Sequence, residues 1–272
     1  MPDTYAVIGN PIAHSKSPQI HAEFARQTGQ DIFYSAILAP LDGFVETLKQ
    51  FRSQGGKGVN VTIPFKYEAW QYATRRSDRA EHAQAVNTLR FDEGEIFGDN
   101  TDGAGLVRDI QVNLVCPIEG KRILLMGAGG ASSGVLSSLL VEKPISVTIA
   151  NRTYEKARVL AERFTNLGVV KASGYSELTG KRYDIVINAT SASLKNELPP
   201  LPRGIFSDDA LAYDMMYGQK PTAFLRYAKN NAVSRIADGL GMLVEQAAES
   251  FYLWRGVWPK TSPVIALLKQ AK

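Results

Sequence analysis

Residues 122–126 (RILLM) run straight into Gly127-Ala128-Gly129-Gly130-Ala131-Ser132, and the chain stays uncharged as far as Val141. No other stretch limits the fold so tightly. A mainly apolar run, a glycine turn and a small-residue helix make a strand–turn–helix, and residues 146–151 supply the next strand of a βαβ unit. Residues 123–141 carry no charge over 19 positions, which is the length of a membrane span, but four glycines and four serines interrupt them. A short buried strand, a turn and a helix fit better, so no membrane segment is expected. In such a unit Gly127 permits the tight turn and Gly129 lets the backbone approach a pyrophosphate. Small residues at Ala131 and Ser132 let the helix pack closely on its strand, and phosphates sit on the free N–H groups of the helix N-terminus. Ser132 stands where glycine or alanine is usual.

The following strand says which dinucleotide. An NAD site usually ends this strand in Asp or Glu, which binds the ribose 2′-hydroxyl. Here the strand ends in Asn151-Arg152-Thr153, with Lys156 one turn on. A carboxylate would repel a 2′-phosphate, whereas a guanidinium, a hydroxyl and an ammonium bind one through charge-assisted hydrogen bonds. The expected cofactor is therefore NADP rather than NAD. Thr153 can also cap the helix that follows, and the two roles are compatible.

The rest of the chain alternates in the same way. Residues 5–9 read as a strand ending in the turn Gly9-Asn10-Pro11, and a helix follows with Ser17 as N-cap and Pro18 at its first position. Strand 32–38, helix 41–54 and the β-branched strand 58–63, closed by Pro64, continue the pattern and predict a mostly parallel α/β sheet. After the polar loop 98–103 (GDNTDG) and a helix at 104–112, a second α/β series begins near Gly120. Its strands are expected at 122–126, 146–151, 183–188 and 211–214, and two helices, 242–256 and 263–269, end the chain. The fold class is thus α/β with two domains: an N-terminal substrate domain over 1–103, to which the C-terminal helices of 239–272 return, and a Rossmann-like NADP domain over 104–238. A cleft between two such halves is where a ligand is expected.

Composition narrows the partners. A net charge of +4 on 272 residues suits an anionic small molecule, and the basic residues are too scattered for nucleic acid. Arg75, Arg76 and Arg79 are the densest group, and Asp78 and Glu81 interrupt them. Cys116 is the single cysteine, so no internal disulfide can form and a reducing, cytoplasmic setting is expected. The three histidines and one cysteine show no metal-ligand spacing. The sequence leaves oligomeric state open, with a homodimer among the assemblies available.

Several longer stretches stand together with the glycine turn. They are 9–17 (GNPIAHSKS), 60–66 (NVTIPFK), Asn87, 98–103 and 238–246 (DGLGMLVEQ), with NATS at 188–191 and YDMMYG at 213–218. In this order they resemble the shikimate dehydrogenase family, from about Tyr5 to Trp258. The resemblance implies reversible, NADP-linked reduction of 3-dehydroshikimate to shikimate, on the route to aromatic amino acids. It implies that Ser15 and Ser17 bind the substrate carboxylate, that Thr62, Asn87, Asp102 and Gln246 hold the ring hydroxyls, and that Tyr217 closes over the substrate. Lys66 and Asp102 are implied as the catalytic pair. On the cofactor side it implies Gly127, Ala128, Gly129, Gly130 and Ala131 at the turn, and Asn151, Arg152, Thr153 and Lys156 beyond the second strand. Thr190, Met215 and Gly239 follow, with Asp78 as the acidic residue near the nicotinamide end.

The residues make chemical sense without the resemblance. Hydride transfer at a secondary alcohol needs a group that gives or takes the hydroxyl proton. A lysine is charged near neutrality and suits a general acid in the reductive direction, and a nearby Asp102 favours that form. Oxidation of the alcohol needs the neutral amine and is expected to speed up at alkaline pH. His14 is expected to be structural. Three other readings stay open: a sister enzyme acting on quinate or a related hydroxy acid, a non-catalytic NADP-binding regulatory module, and a one-carbon or amino-acid dehydrogenase of similar shape. An intact Lys66 and Asp102 argue against the second, and the hydroxyl-binding set argues against the third.

Overall fold

β1 (Asp3–Gly9) is buried along most of its length, and its alternate side chains enter two different apolar clusters. Ala6 and Ile8 join Phe44, Leu48 and Val59 on one face, while Tyr5 and Val7 join Ile12, Tyr34 and Trp254 on the other. A strand covered on both faces is a central strand. The computed structural model describes residues 1–270, the side chain of Leu194 excepted. By its internal packing the chain divides into two units, Met1–Gly105 with Val244–Leu267, and Leu106–Leu243 with the chain from Leu268 onward. Residues 271 and 272, which the sequence reading included in the first domain, lie outside the described residues.

In the first unit β1 pairs in parallel with β2 (Ile32–Leu38) and β3 (Gly56–Val61), and α1 (Ser17–Thr28) and α2 (Phe44–Ser53) make the crossovers. Beyond β3 come α3 (Lys66–Tyr72), the short β4 (Arg75–Arg76), α4 (Asp78–Ala83), β5 (Thr88–Asp92), β6 (Glu95–Asp99) and the start of α5 (Asp102–Arg108). The sheet order is β2-β1-β3-β5-β6-β4. The pairing is parallel in β1–β2, β1–β3 and β4–β6, as the alternation predicts, but β3–β5 and β5–β6 are antiparallel, so the sheet is mixed. β5 and β6 are joined by Glu93 and Gly94 alone, with Gly94 at φ 76°, and so short a loop can only reverse the chain. The first two residues of the expected polar loop, Gly98 and Asp99, are the end of β6 and are buried. α2 starts at Phe44 and not at residue 41, and Leu41 is exposed.

The second unit is built on six parallel strands. They are β7 (Arg122–Met126), β8 (Ser146–Ala150), β9 (Val170–Ser173), β10 (Tyr183–Asn188), β11 (Phe206–Asp214) and β12 (Arg235–Asp238). Their order is β12-β11-β10-β7-β8-β9, a doubly wound sheet whose strand order reverses between β7 and β10. α6 (Gly130–Val141), α7 (Tyr154–Glu162) and α8 (Ala223–Asn230) flank it. α6 carries no charge, and eight of its twelve residues are buried, Ser132 and Ser133 included. α9 (Leu240–Arg255) and α10 (Ser262–Gln270) end the chain. Among the described residues no helix is long and apolar enough to cross a membrane.

Candidate active site

The side chains proposed for chemistry in the first unit meet at the ends of β3, β5 and β6. Lys66 opens α3 just beyond β3, and Asp102 opens α5 just beyond β6. A cation at a helix N-terminus faces the unfavourable end of the helix dipole. The Asp102 carboxylate offsets that: Lys66 Nζ donates to its Oδ2 at 2.5 Å. The pair is only partly buried, at 29% and 14% side-chain exposure, so Lys66 remains open to a ligand. Asn87 Nδ2 donates to the other carboxylate oxygen at 2.8 Å and reaches Gln246 Oε1 at 3.3 Å. Gln246 is close because Gly105 has no side chain, and a Cβ there would lie 2.7 Å from the Gln246 backbone N. Lys66, Asp102, Asn87 and Gln246 thus form one cluster.

The loop after β1 carries the serines. Ser17 is the first residue of α1 and not its N-cap, and Lys16 precedes it without a side-chain cap. Ser15 Oγ instead accepts the Ser17 N–H at 3.3 Å, so it does the work expected of a cap two residues further on. Thr62 follows β3, donates its N–H to the Ile8 carbonyl, and sets its methyl where a side chain on Gly9 would stand, 2.3 Å from a Cβ there. Gly9 therefore lets the serine loop leave β1 directly beside Thr62. His14 is exposed.

Asp99 fixes the turn that presents Asp102. It is 4% exposed and accepts from Arg79 Nε at 2.7 Å, Arg79 Nη2 at 2.5 Å, Ser77 Oγ at 2.5 Å and the Asn100 N–H at 2.8 Å. Burial pushes this carboxyl up, but the Arg79 hydrogen bonds and charge, with Ser77 and Asn100, outweigh it and hold it below its ordinary range. Asn100 Oδ1 then accepts the Asp102 N–H at 3.2 Å. Asp78 is exposed at the start of α4, beside Arg79.

The second unit places the dinucleotide set at the point where its strand order reverses. Gly127, at φ 103°, ends β7 with a backbone that side chains rarely adopt, and a Cβ there would lie 3.2 Å from the Ala189 carbonyl. Ser132 Oγ, in place of the usual glycine or alanine, donates to the Gly127 carbonyl at 2.8 Å and ties the helix back to its own turn. A Cβ on Gly129 or Gly130 would meet nothing within 4 Å, so the space over the N-terminus of α6 is open. One pocket of about 370 Å³ is lined by Gly127, Ala128, Gly129, Gly130 and Ala131, by Asn151, Arg152, Thr153 and Lys156, and by Ala189, Thr190 and Ser191. Asn151 Nδ2 donates to the Thr153 carbonyl at 2.9 Å and closes the turn that presents the two cations. An open helix N-terminus for a pyrophosphate and two exposed cations for a further phosphate fit NADP.

Met215, Tyr217 and Gly239 are not among the residues that line that pocket, whereas Thr190 is. Met215 follows β11 and Gly239 follows β12, and a Cβ on Gly239 would stand 2.1 Å from the Met215 carbonyl oxygen, so the two backbones touch. Thr190 is held by Asn188 Oδ1, which accepts its N–H at 3.1 Å and its hydroxyl at 2.7 Å. Asn188 in turn donates to the buried Asp214, which also accepts the Met216 N–H at 3.0 Å. Tyr217 is half-buried, and burial, with the charge of Asp238, pushes its phenol up. Among the described residues no His, Cys, Asp and Glu cluster could hold a metal ion.

Sequence reasoning missed Asn60, Thr88, Thr101, Asp214 and Ser250, all buried. A signal existed for each of them. Asn60, Thr101 and Asp214 sit inside three of the stretches singled out, Thr88 follows Asn87, and Ser250 lies one helical turn beyond Gln246.

Residues 7–89 match the family model for the shikimate dehydrogenase substrate binding domain. Residues 111–196 match the shikimate / quinate 5-dehydrogenase model, and 239–269 match the shikimate 5′-dehydrogenase C-terminal domain. The chain is 59% identical to the shikimate dehydrogenase (NADP(+)) of Nitrosospira multiformis, over 100% of this chain and 98% of the relative. It is similar in structure to an Ael1 enzyme from Pseudomonas putida, with a TM-score of 0.93, 50% identity and 98% of each chain covered. It is also similar to a shikimate 5-dehydrogenase from Thermus thermophilus solved in complex with NADP(H) and shikimate. There the TM-score is 0.88 and the identity 32%, covering 99% of this chain and 100% of that one.

Proposed function

This chain belongs to the shikimate dehydrogenase family, and we propose that it reduces 3-dehydroshikimate reversibly to shikimate with NADP, on the route to aromatic amino acids. The observation that carries this reading is the Lys66–Asp102 pair, backed by Asn87 and Gln246 in one cluster. NADPH, when bound, would supply the hydride. Lys66 gives its proton to the substrate's carbonyl oxygen as that oxygen takes on negative charge, so the product leaves as an alcohol. In the oxidative direction the neutral amine takes the proton back. Asp102 keeps Lys66 aimed and, with Thr62, Asn87 and Gln246, holds the ring hydroxyls. Ser15 and Ser17 bind the carboxylate through hydroxyl and backbone N–H donors near the start of α1, and Tyr217 contacts the substrate as a neutral phenol.

Gly127 to Ala131 bind the pyrophosphate, and Asn151, Arg152, Thr153 and Lys156 bind the adenosine end with its 2′-phosphate. Thr190, Met215, Gly239 and Asp78 serve the nicotinamide end. The contact between Met215 and Gly239 supports a shared role for those two. A single cysteine, buried and free, supports a cytoplasmic location.

The test offers shikimate and quinate to the purified protein, each with NADP and with NAD, while nicotinamide absorbance is followed. Turnover is expected with shikimate and NADP, faster at alkaline than at neutral pH, and a Lys66→Ala variant is expected to lose at least about 100-fold in kcat. Absence of turnover with shikimate and NADP overturns the reading. Normal turnover by Lys66→Ala overturns the role of Lys66 alone.

A further inference from the structure

We propose that the buried hydroxyls of Thr88 and Ser250 are positioning groups for this reaction, fixing the Asn87 carboxamide so that its amino group, and not its oxygen, faces Asp102. The proposal rests on the reading of Lys66 and Asp102 as the proton-transfer pair. Neither hydroxyl can reach a substrate, because both residues are completely buried. Each instead occupies a junction between elements that are distant in sequence.

The direction of the hydrogen bonds follows from the groups present. Thr88 Oγ1 donates to Asn87 Oδ1 at 2.9 Å, and that uses its single proton. Its oxygen lies 2.7 Å from Ser250 Oγ, so Ser250 is the donor in that contact. The Gln246 carbonyl, at 3.1 Å, is a longer alternative for the Ser250 proton. Asn60 Nδ2 donates to Ser250 Oγ at 2.9 Å and to Thr88 Oγ1 at 3.1 Å, and Tyr34 donates to Asn60 Oδ1 at 2.8 Å. Donation therefore runs one way, from Tyr34 through Asn60, Ser250, Thr88 and Asn87 to Asp102. Bonds aligned in this sense polarise one another.

Asn87 is the link that matters for chemistry. Its Oδ1 accepts the Thr101 N–H at 2.8 Å as well as the Thr88 hydroxyl, while its Nδ2 gives to Asp102 Oδ1. A flipped carboxamide would set its oxygen against the Asp102 carboxylate and its amino group against the Thr101 N–H. Thr88 and Thr101 together prevent this. With Asn87 on one carboxylate oxygen and Lys66 on the other, Asp102 cannot rotate without breaking a charge-assisted bond. Removing the Thr88 hydroxyl loosens Asn87, and through it the carboxylate that aims Lys66.

The experiment compares Thr88→Val, which keeps the shape and removes the hydroxyl, with Thr88→Ser, which keeps the hydroxyl. The Val variant is expected to lose about tenfold in kcat/KM for shikimate. Its KM for NADP should not change, and the Ser variant should return to near the wild-type value. Ser250→Ala should act in the same direction. Wild-type constants in Thr88→Val, or an equal loss in Thr88→Val and Thr88→Ser, overturn the proposal. A wild-type protein without shikimate turnover would count against the proposed function instead. For that case the Asn87 side-chain amide, assigned in ¹⁵N NMR spectra through Asn87→Asp, gives a readout independent of turnover. Its resonances are expected to move and to exchange faster with solvent in Thr88→Val, and unmoved resonances overturn the positioning role.

Discussion

His21 is fully buried among aromatic rings, stacked on Tyr34 with ring centroids 4.2 Å apart and lying 5.4 Å from Trp254. Burial drives its pKa from the ordinary 6.5 down to about 3, with the Asn60 side chain opposing the shift only in part. The folded protein therefore holds this ring neutral where the unfolded chain would protonate it. The stability tied to that difference is present in full above about pH 6.5 and is lost as the pH falls toward about 3, at roughly 1.4 kcal/mol per pH unit. His21→Phe keeps the ring stack and removes the titration. Between pH 7 and pH 5, denaturant melts of the wild type should lose about 2 kcal/mol more than those of the variant, since the carboxylates common to both cancel. Equal losses in the two proteins would rule this out. The sequence showed His21 only as a histidine near a helix start. Its neutrality depends on Tyr34, Phe251 and Trp254, which only the folded chain brings round it.

At the scale of elements, what was legible was local. The turn after β7 and the one after β8 could be read because their requirements sit in adjacent residues: a left-handed backbone at Gly127, no carboxylate at Asn151, and cations at Arg152 and Lys156. On α7, Arg158 is paired with Glu155 and Glu162, whereas Arg152 and Lys156 face the pocket as exposed cations. A double substitution, Arg152→Ala with Lys156→Ala, should raise KM for NADP by about 10- to 100-fold. It should leave KM for NAD nearly unchanged, because the lost bonds are to the 2′-phosphate. An equal rise for both cofactors in steady-state assays would mean that the cations bind something other than that phosphate. The β5–β6 hairpin was not legible in the same way. Its two strands have only five residues each, and the turn between them holds a single glycine. Without the hairpin Asp99 reads as a loop residue, whereas it is the buried partner of Arg79 and the anchor of the turn carrying Asp102.

The whole molecule is assembled from segments far apart in sequence, and that is where sequence reasoning reached least. Alternating strands and helices were enough to foresee a doubly wound sheet for the second unit, because parallel strands need crossovers long enough to leave a periodic trace. The first unit mixes parallel and antiparallel pairing, and the antiparallel part leaves no local trace. The link between Ser250 and Thr88 spans 162 positions and could not be seen before the chain was folded. Ligand binding, however, acts on the stability of the entire chain. A cofactor that binds only the folded state stabilises it by RT ln(1 + [L]/Kd), about 2.7 kcal/mol at a hundred times Kd. For NADP the 2′-phosphate joins the pyrophosphate as a second anchor, on a chain whose net charge is +4. At equal concentration NADP should therefore raise the thermal midpoint by several degrees more than NAD, on the order of 2–4 °C per kcal/mol for a domain of this size. The excess should shrink as salt is added, because the cations at Arg152 and Lys156 are exposed and screened. Scanning fluorimetry with both cofactors at low and high salt measures this, and equal shifts at low salt would remove the 2′-phosphate from the account of cofactor choice.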